Sequence, residues 1–145
     1  MRYLVAVDPS ENAERAFKSA LKLMKANDEL YLIHVLELNE PSILDPFHDK
    51  IDYLVNIEVK HRAKETKEKY EKLCNEANIK FTYIEGKGDA RTEITKQVEE
   101  LKIDNLVVGS RGLGKLKQVL LGSVSSYCKR TKKMRLYNQI PTPSN

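Results

Sequence analysis

Short, almost wholly apolar runs alternate along this chain with segments of helical periodicity, and that alternation leaves few folds open. Tyr3-Leu4-Val5-Ala6-Val7 ends at Asp8-Pro9-Ser10, which reads as a strand, a turn and a helix start. Ala13, Ala16, Phe17, Ala20, Leu21 and Met24 then recur at the i, i+3, i+4 spacing of one helix face. Residues 30–36 form a second buried-type strand, and residues 39–49, with Pro41 and Pro46, read as a loop. Ile51, Leu54, Val55, Val59, Ala63, Tyr70, Leu73 and Ala77 carry a helical period through a highly charged stretch, predicting one long helix. Residues 80–85 alternate as a third strand, 86–89 read as a turn, and Asp89 is placed to cap a helix bearing Ile94, Val98 and Leu101. Asn105-Leu106-Val107-Val108 is the fourth strand.

Strands buried on both faces and alternating with helices predict the α/β class. The expected architecture is a doubly wound, Rossmann-like parallel sheet of four to five strands, with helices on both faces and right-handed crossovers. Ligands of such sheets bind beyond the carboxyl ends of the strands, where the strand order reverses. Asp8, Val35 and Gly109 all fall at that end.

The length of 145 residues fits one domain, and 41% hydrophobic with 32% charged residues is ordinary for a globular protein. No apolar run reaches the length of a membrane span, and the first residues lead straight into a strand pattern instead of a signal peptide; a cytoplasmic location is expected. Cys74 and Cys128 are far apart with no metal-ligand spacing and read as reduced thiols. His34 reads as a packed strand residue, and His48 and His61 match no metal motif. No Ser-His-Asp or Cys-His arrangement can be argued, so no catalytic residue and no metal-ligating side chain is assigned.

Charge is distributed unevenly. From Leu101 onward nine Lys or Arg accompany only Asp104, whereas residues 1–100 carry sixteen basic and twenty acidic residues. An anionic ligand would be favoured in the last third. The run 129–135 lacks interleaved aromatics and an apolar face, and reads as a solvated helix end in preference to a nucleic-acid or membrane patch.

That basic third contains Gly109-Ser110-Arg111-Gly112, then nine residues, then Gly122-Ser123, directly after the apolar Leu106-Val107-Val108. Glycines let backbone amides approach a ligand closely, and a serine at a helix start adds a hydroxyl beside unpaired N–H donors, which suits phosphate. A P-loop would need Gly-Lys-Ser/Thr, and the dinucleotide fingerprint needs its glycines in the order Gly-x-Gly-x-x-Gly; neither is present. On the residues alone, turn glycines and a turn or cap role for Asp8 stay open beside the ligand reading.

The whole spacing, Gly-x2-Gly-x9-Gly-Ser, resembles the nucleotide signature of the universal stress protein family, in its ATP-binding branch. Val5-Ala6-Val7-Asp8-x-Ser10, His34-Val35 and Gly88-Asp89 are similar to further family positions, with Pro9 in place of the small residue common there. The resemblance covers residues 1–128 as one nucleotide-binding domain, followed by a basic, proline-containing tail, 129–145. It implies the adenine nucleotide alpha hydrolase-like fold and ATP as ligand, with Mg2+ or Mn2+ bridging the phosphates.

Position by position, the resemblance implies that Ala6, Val7 and Asp8 meet the nucleoside and Val35 the adenine. Val108, Gly109, Arg111 and Gly112 would line the ribose and first phosphate, while Gly122, Ser123, Val124 and Ser125 donate to the outer phosphates. Lys115 and Lys117 lie within the nine residues between Gly112 and Gly122, where a cation could close over the phosphates. The implied role is a nucleotide-dependent stress-response or signalling protein with an unidentified protein partner, non-catalytic in preference to an ATPase. A slow ATPase or phosphotransfer enzyme and a nucleotide-free interaction protein of the same fold are the alternatives. Relatives often pair two subunits through a valine-rich last strand; residues 134–140 are a poor version of it. No clean fifth strand is expected, and a monomer, or a homodimer through another surface, follows.

Overall fold

The computed structural model describes residues 1–38, 46–109 and 135–139, with 46–49 and 135–139 as backbone. In chain order the elements are β1 (Arg2–Ala6), α1 (Glu11–Leu23), β2 (Glu29–Leu36), α2 (Pro46–Glu76), β3 (Phe81–Lys87), α3 (Ala90–Glu100), β4 (Asn105–Gly109) and β5 (Arg135–Gln139). The strands lie in the order β3-β2-β1-β4-β5, every neighbouring pair parallel. The doubly wound parallel sheet expected from the alternation is therefore the fold.

Strand pleating divides the core in two. Leu4 and Ala6 of β1, Ile33 of β2, and Leu106 and Val108 of β4 meet Ala90, Ile94 and Val98 of α3. On the other face Tyr3, Val5, Leu30, Leu32 and Val107 meet Ala16, Phe17 and Ala20 of α1 and Tyr70 and Cys74 of α2. Phe17 and Tyr70 pack edge to face with ring centroids 5.2 Å apart, the geometry the ring quadrupoles favour. Burying a large side chain of this kind stabilises by about 1.5–3 kcal/mol. Burial pushes the Cys74 thiol up to about 11, which keeps it protonated and unreactive. Cys128 lies outside the described residues.

Several local expectations shift. The segment 39–49 is not all loop, because α2 starts at Pro46. A proline in the first turn loses no helical hydrogen bond and brings its φ ready-made. Gly86 belongs to β3 and not to a turn: Val35 pairs with Gly86 and Leu36 with Lys87, and the chain bends only at Gly88, with φ +108°. A fifth strand does form, Arg135–Gln139, in register with Asn105–Gly109. Parallel pairing at a sheet edge uses backbone groups, so it does not require the valine-rich sequence sought there. The long helix read from the period of α2 is present, but Ile51, Leu54 and Val55 at its start are exposed, and among the described residues its buried apolar side chains start at Ala63.

The helix caps follow the sequence closely. Ser10 caps α1 by accepting from the Ala13 N–H, and Asp89 caps α3 by accepting from the Thr92 N–H. At the amino ends of the strands, the Arg2 N–H donates to Asp104 Oδ2 at 2.8 Å and Arg2 Nη1 to the Leu101 carbonyl at 2.7 Å. These bonds tie the turn before β4 to the start of β1.

At the opposite end of β4, Gly109 packs against the first turn of α1. A Cβ placed there would lie 2.8 Å from the Asn12 carbonyl oxygen and 2.9 Å from its carbon, and backbone cannot swing aside as a flexible side chain does. We therefore expect Gly109→Ala to destabilise the fold by about 1–3 kcal/mol, the usual cost of overpacking, read as a lower urea midpoint. An unchanged midpoint would contradict this close packing.

Candidate functional site

The site begins where β1 leaves the sheet. The Val7 N–H donates to the Ile33 carbonyl at 2.8 Å, holding the chain beside β2 for one residue past Ala6. Asp8 then turns the chain: its Oδ1 accepts from the Ser10 N–H at 2.7 Å, and the Ser10 hydroxyl accepts from the Ala13 N–H at 3.2 Å. This is the local carboxylate-to-backbone bonding that makes Asp a turn former. One carboxylate oxygen fixes the turn, and the residue still lines the adjoining cleft.

That cleft has a volume of about 340 Å³, within the range of roughly 300–1,000 Å³ occupied by small-molecule sites. Ala6, Val7 and Asp8 at the end of β1 form one side and His34 and Val35 of β2 another. Ala90 and Ile94 of α3 and Val59 and Arg62 of α2 complete the wall. The apolar part suits a flat ring, while Asp8 and Arg62 supply opposite charges. Arg62 Nε lies 3.0 Å from Glu58 Oε1. It also borders a hollow shared with Pro9, Thr66 and Lys69, and Lys69 Nζ lies 3.0 Å from Glu14.

His34 is half-buried, paired in register with Glu85 of β3 and within the field of Asp8. Burial pulls its imidazole below the ordinary value, and the carboxylates of Asp8 and Glu85 oppose that shift. Its Nδ1 is buried with no hydrogen-bond partner. At neutral pH the ring is thus neutral, with its Nδ1 unpartnered inside the wall.

Of the residues singled out from sequence, Ala6, Val7, Asp8 and Val35 come together in this cleft. Val108 and Gly109 do not line it: Val108 is fully buried in the α3-side core, and Gly109 lies against Asn12. Arg111, Gly112, Gly122, Ser123, Val124 and Ser125 lie outside the described residues, as do Lys115 and Lys117. Sequence reasoning missed His34, Val59, Arg62, Ala90 and Ile94 as wall residues. The signal available was the position of His34 beside Val35 at a strand end, and of Val59 on the inward stripe of α2.

A wider groove of about 740 Å³ lies at the other end of the sheet, among Met24, Asp28, Asn78 and Lys80. It borders the amino ends of β2 and β3, where open parallel sheets do not place their ligands. Among the described residues no group of three or more His, Cys, Asp or Glu could hold a metal ion. No described helix is long and apolar enough to cross a membrane.

A family model, described as the universal stress protein family, matches residues 1–133. The chain belongs to the universal stress protein family. Universal stress protein YxiE of Bacillus subtilis is 32% identical over 132 residues, covering 86% of this chain and 88% of that protein. Among solved structures, hypothetical protein MJ0577 of Methanocaldococcus jannaschii superposes with a TM-score of 0.73 at 24% identity, covering 99% of this chain and 97% of that one. A universal stress protein family member from Arabidopsis thaliana with AMP bound has a TM-score of 0.63 at 22% identity, covering 99% and 93%. At such identities these two likenesses are of fold. They agree with the five-stranded parallel sheet of this universal stress protein.

The environment of His34 gives this family member a pH signature. Its folded pKa lies below the ordinary 6.5, so between the two values the unfolded chain binds a proton that the folded chain does not. Stability is full above the unfolded pKa and falls as pH drops through it. Urea midpoints at about pH 7.5 and about pH 5.5 are expected to show an acid loss that His34→Gln diminishes. An equal acid loss in the variant would rule out the buried neutral imidazole as its source.

Proposed function

We propose that this chain is a cytoplasmic adenine-nucleotide-binding protein that holds ATP with a bridging Mg2+ or Mn2+ and changes its interaction with a protein partner in a stress or signalling response. The observation that carries the reading is the cleft at the carboxyl ends of β1 and β2, where Ala6, Val7, Asp8 and Val35 meet under α2 and α3. The AMP bound to the Arabidopsis relative supports an adenine nucleotide as the class of ligand.

In this reading the base lies against Val35 and the apolar wall, and Asp8 accepts from the ribose hydroxyls through the oxygen that Ser10 leaves free. Val108 is buried, so its part is limited to backbone, while Gly109 leads the chain from the sheet toward the phosphates. Gly112, Gly122, Ser123, Val124 and Ser125 supply amides and hydroxyls to the phosphates, and Arg111 a charge-assisted bond. A divalent cation, when bound, screens the phosphate charges. In this reading binding is stoichiometric, without phosphate release.

A ligand that binds the folded state alone stabilises it by about 2.7 kcal/mol at a hundredfold excess over its dissociation constant. On a scale of roughly 2–8 °C per kcal/mol, millimolar MgATP should raise the Tm by several degrees. Asp8→Ala should diminish the shift for ATP and AMP alike, whereas Ser123→Ala should diminish it for ATP more than for AMP. A Tm unmoved by millimolar ATP, AMP or adenosine would overturn the reading.

A further inference from the structure

The first turns of α2 carry their polarity the wrong way round for a surface helix. Residues that face the sheet recur at three- and four-residue steps as Asn56, Val59, Ala63, Thr66, Tyr70 and Cys74, and Asp52 begins that stripe. From Ala63 onward the stripe packs on the core, but its first two positions are the buried Asp52 and the half-buried Asn56. The apolar residues lie on the far side. At about 100° per residue, Leu54 sits about 180° around the helix from Ala63. Ile51 and Ile57 flank it within one turn, and Tyr53 and Val55 border the face. Their exposures are 59% for Leu54, 49% and 48% for the isoleucines, 65% for Tyr53 and 43% for Val55.

We propose that this face is where two copies of the chain pair, α2 against α2, antiparallel about a two-fold axis at Leu54. A two-fold axis there sets Leu54 on Leu54, Ile51 on Ile57 and Lys50 on Glu58, so the face is complementary to itself in charge as well as shape. Parallel pairing would set Lys50 on Lys50 and Glu58 on Glu58, a like-charge cost the antiparallel arrangement avoids. Glu58 accepts from Arg62 within its own helix, and a carboxylate has acceptor sites left for a second donor.

Four aliphatic side chains and one tyrosine at about half exposure leave on the order of 450 Å² of largely apolar surface per copy. That is the size of functional patches on monomers, about 300–600 Å². It falls short of the roughly 800 Å² per partner of a standard interface, so the charged rim belongs to the contact and the dimer is reversible. The face is turned away from the cleft that Val59 lines, and the proposal stands independently of nucleotide binding.

Sedimentation equilibrium of the full chain, from roughly 1 µM to 1 mM, tests it. The expected result is a concentration-dependent monomer–dimer equilibrium that Leu54→Glu shifts to monomer without lowering the thermal midpoint, since Leu54 is exposed in the monomer. Lys50→Glu and Glu58→Lys should each weaken the dimer by about tenfold or more, and the double exchange should restore it. A monomer throughout, a dimer indifferent to Leu54→Glu, or a double exchange no better than the single ones would each overturn the proposal.

Discussion

Everything in this molecule is arranged around β1, a five-residue strand bonded on both edges and buried on both faces. Residues 2–6 pair with 29–33 of β2 on one side, and residues 3–5 pair with 105–107 of β4 on the other. Tyr3 and Val5 look toward α1 and α2, and Leu4 and Ala6 toward α3. A strand in that position cannot slip by one residue without turning both sets of side chains into the wrong core. Its end is therefore fixed, and so is the turn at Asp8. The close approach of Gly109 to Asn12 extends the same constraint, because it seats the first turn of α1 against the end of β4.

Much of this was legible in the chain. Near-continuous apolar runs between helical periods require a sheet covered on both faces, and Asp89 is followed by the helix it caps. What the sequence hid depends on partners remote in the chain. A helical period reports that apolar residues share a face, not that anything covers it, and Ile51 and Leu54 are exposed. Pairing with β2 keeps Gly86 in a strand, and pairing with β4 makes a strand of a polar tail segment. In both cases backbone bonding outweighs side-chain preference.

The same division holds at the site. Asp8 and Val35 could be read because each ends a recognisable strand, and the topology brings strand ends to one rim. Arg62 and Ala90 could not, because they arrive on helices whose placement over the sheet is a matter of packing. The resulting wall combines an apolar slot with a turn carboxylate, a neutral imidazole and a guanidinium. Gly109 shows that a glycine in a ligand signature can also serve close packing: here the missing Cβ makes room for a helix.

The central claim, that an adenine nucleotide occupies the carboxyl-end cleft, is tested most directly by mapping where it binds. In a two-dimensional amide NMR titration of the isotope-labelled chain with MgATP, the account predicts the largest saturable shifts at the backbone amides of Ala6, Val7, Asp8 and Val35. Asp28, Asn78 and Lys80, around the larger groove at the other end of the sheet, should stay still. Saturable shifts centred on that groove, or none at the cleft at millimolar nucleotide, would contradict it.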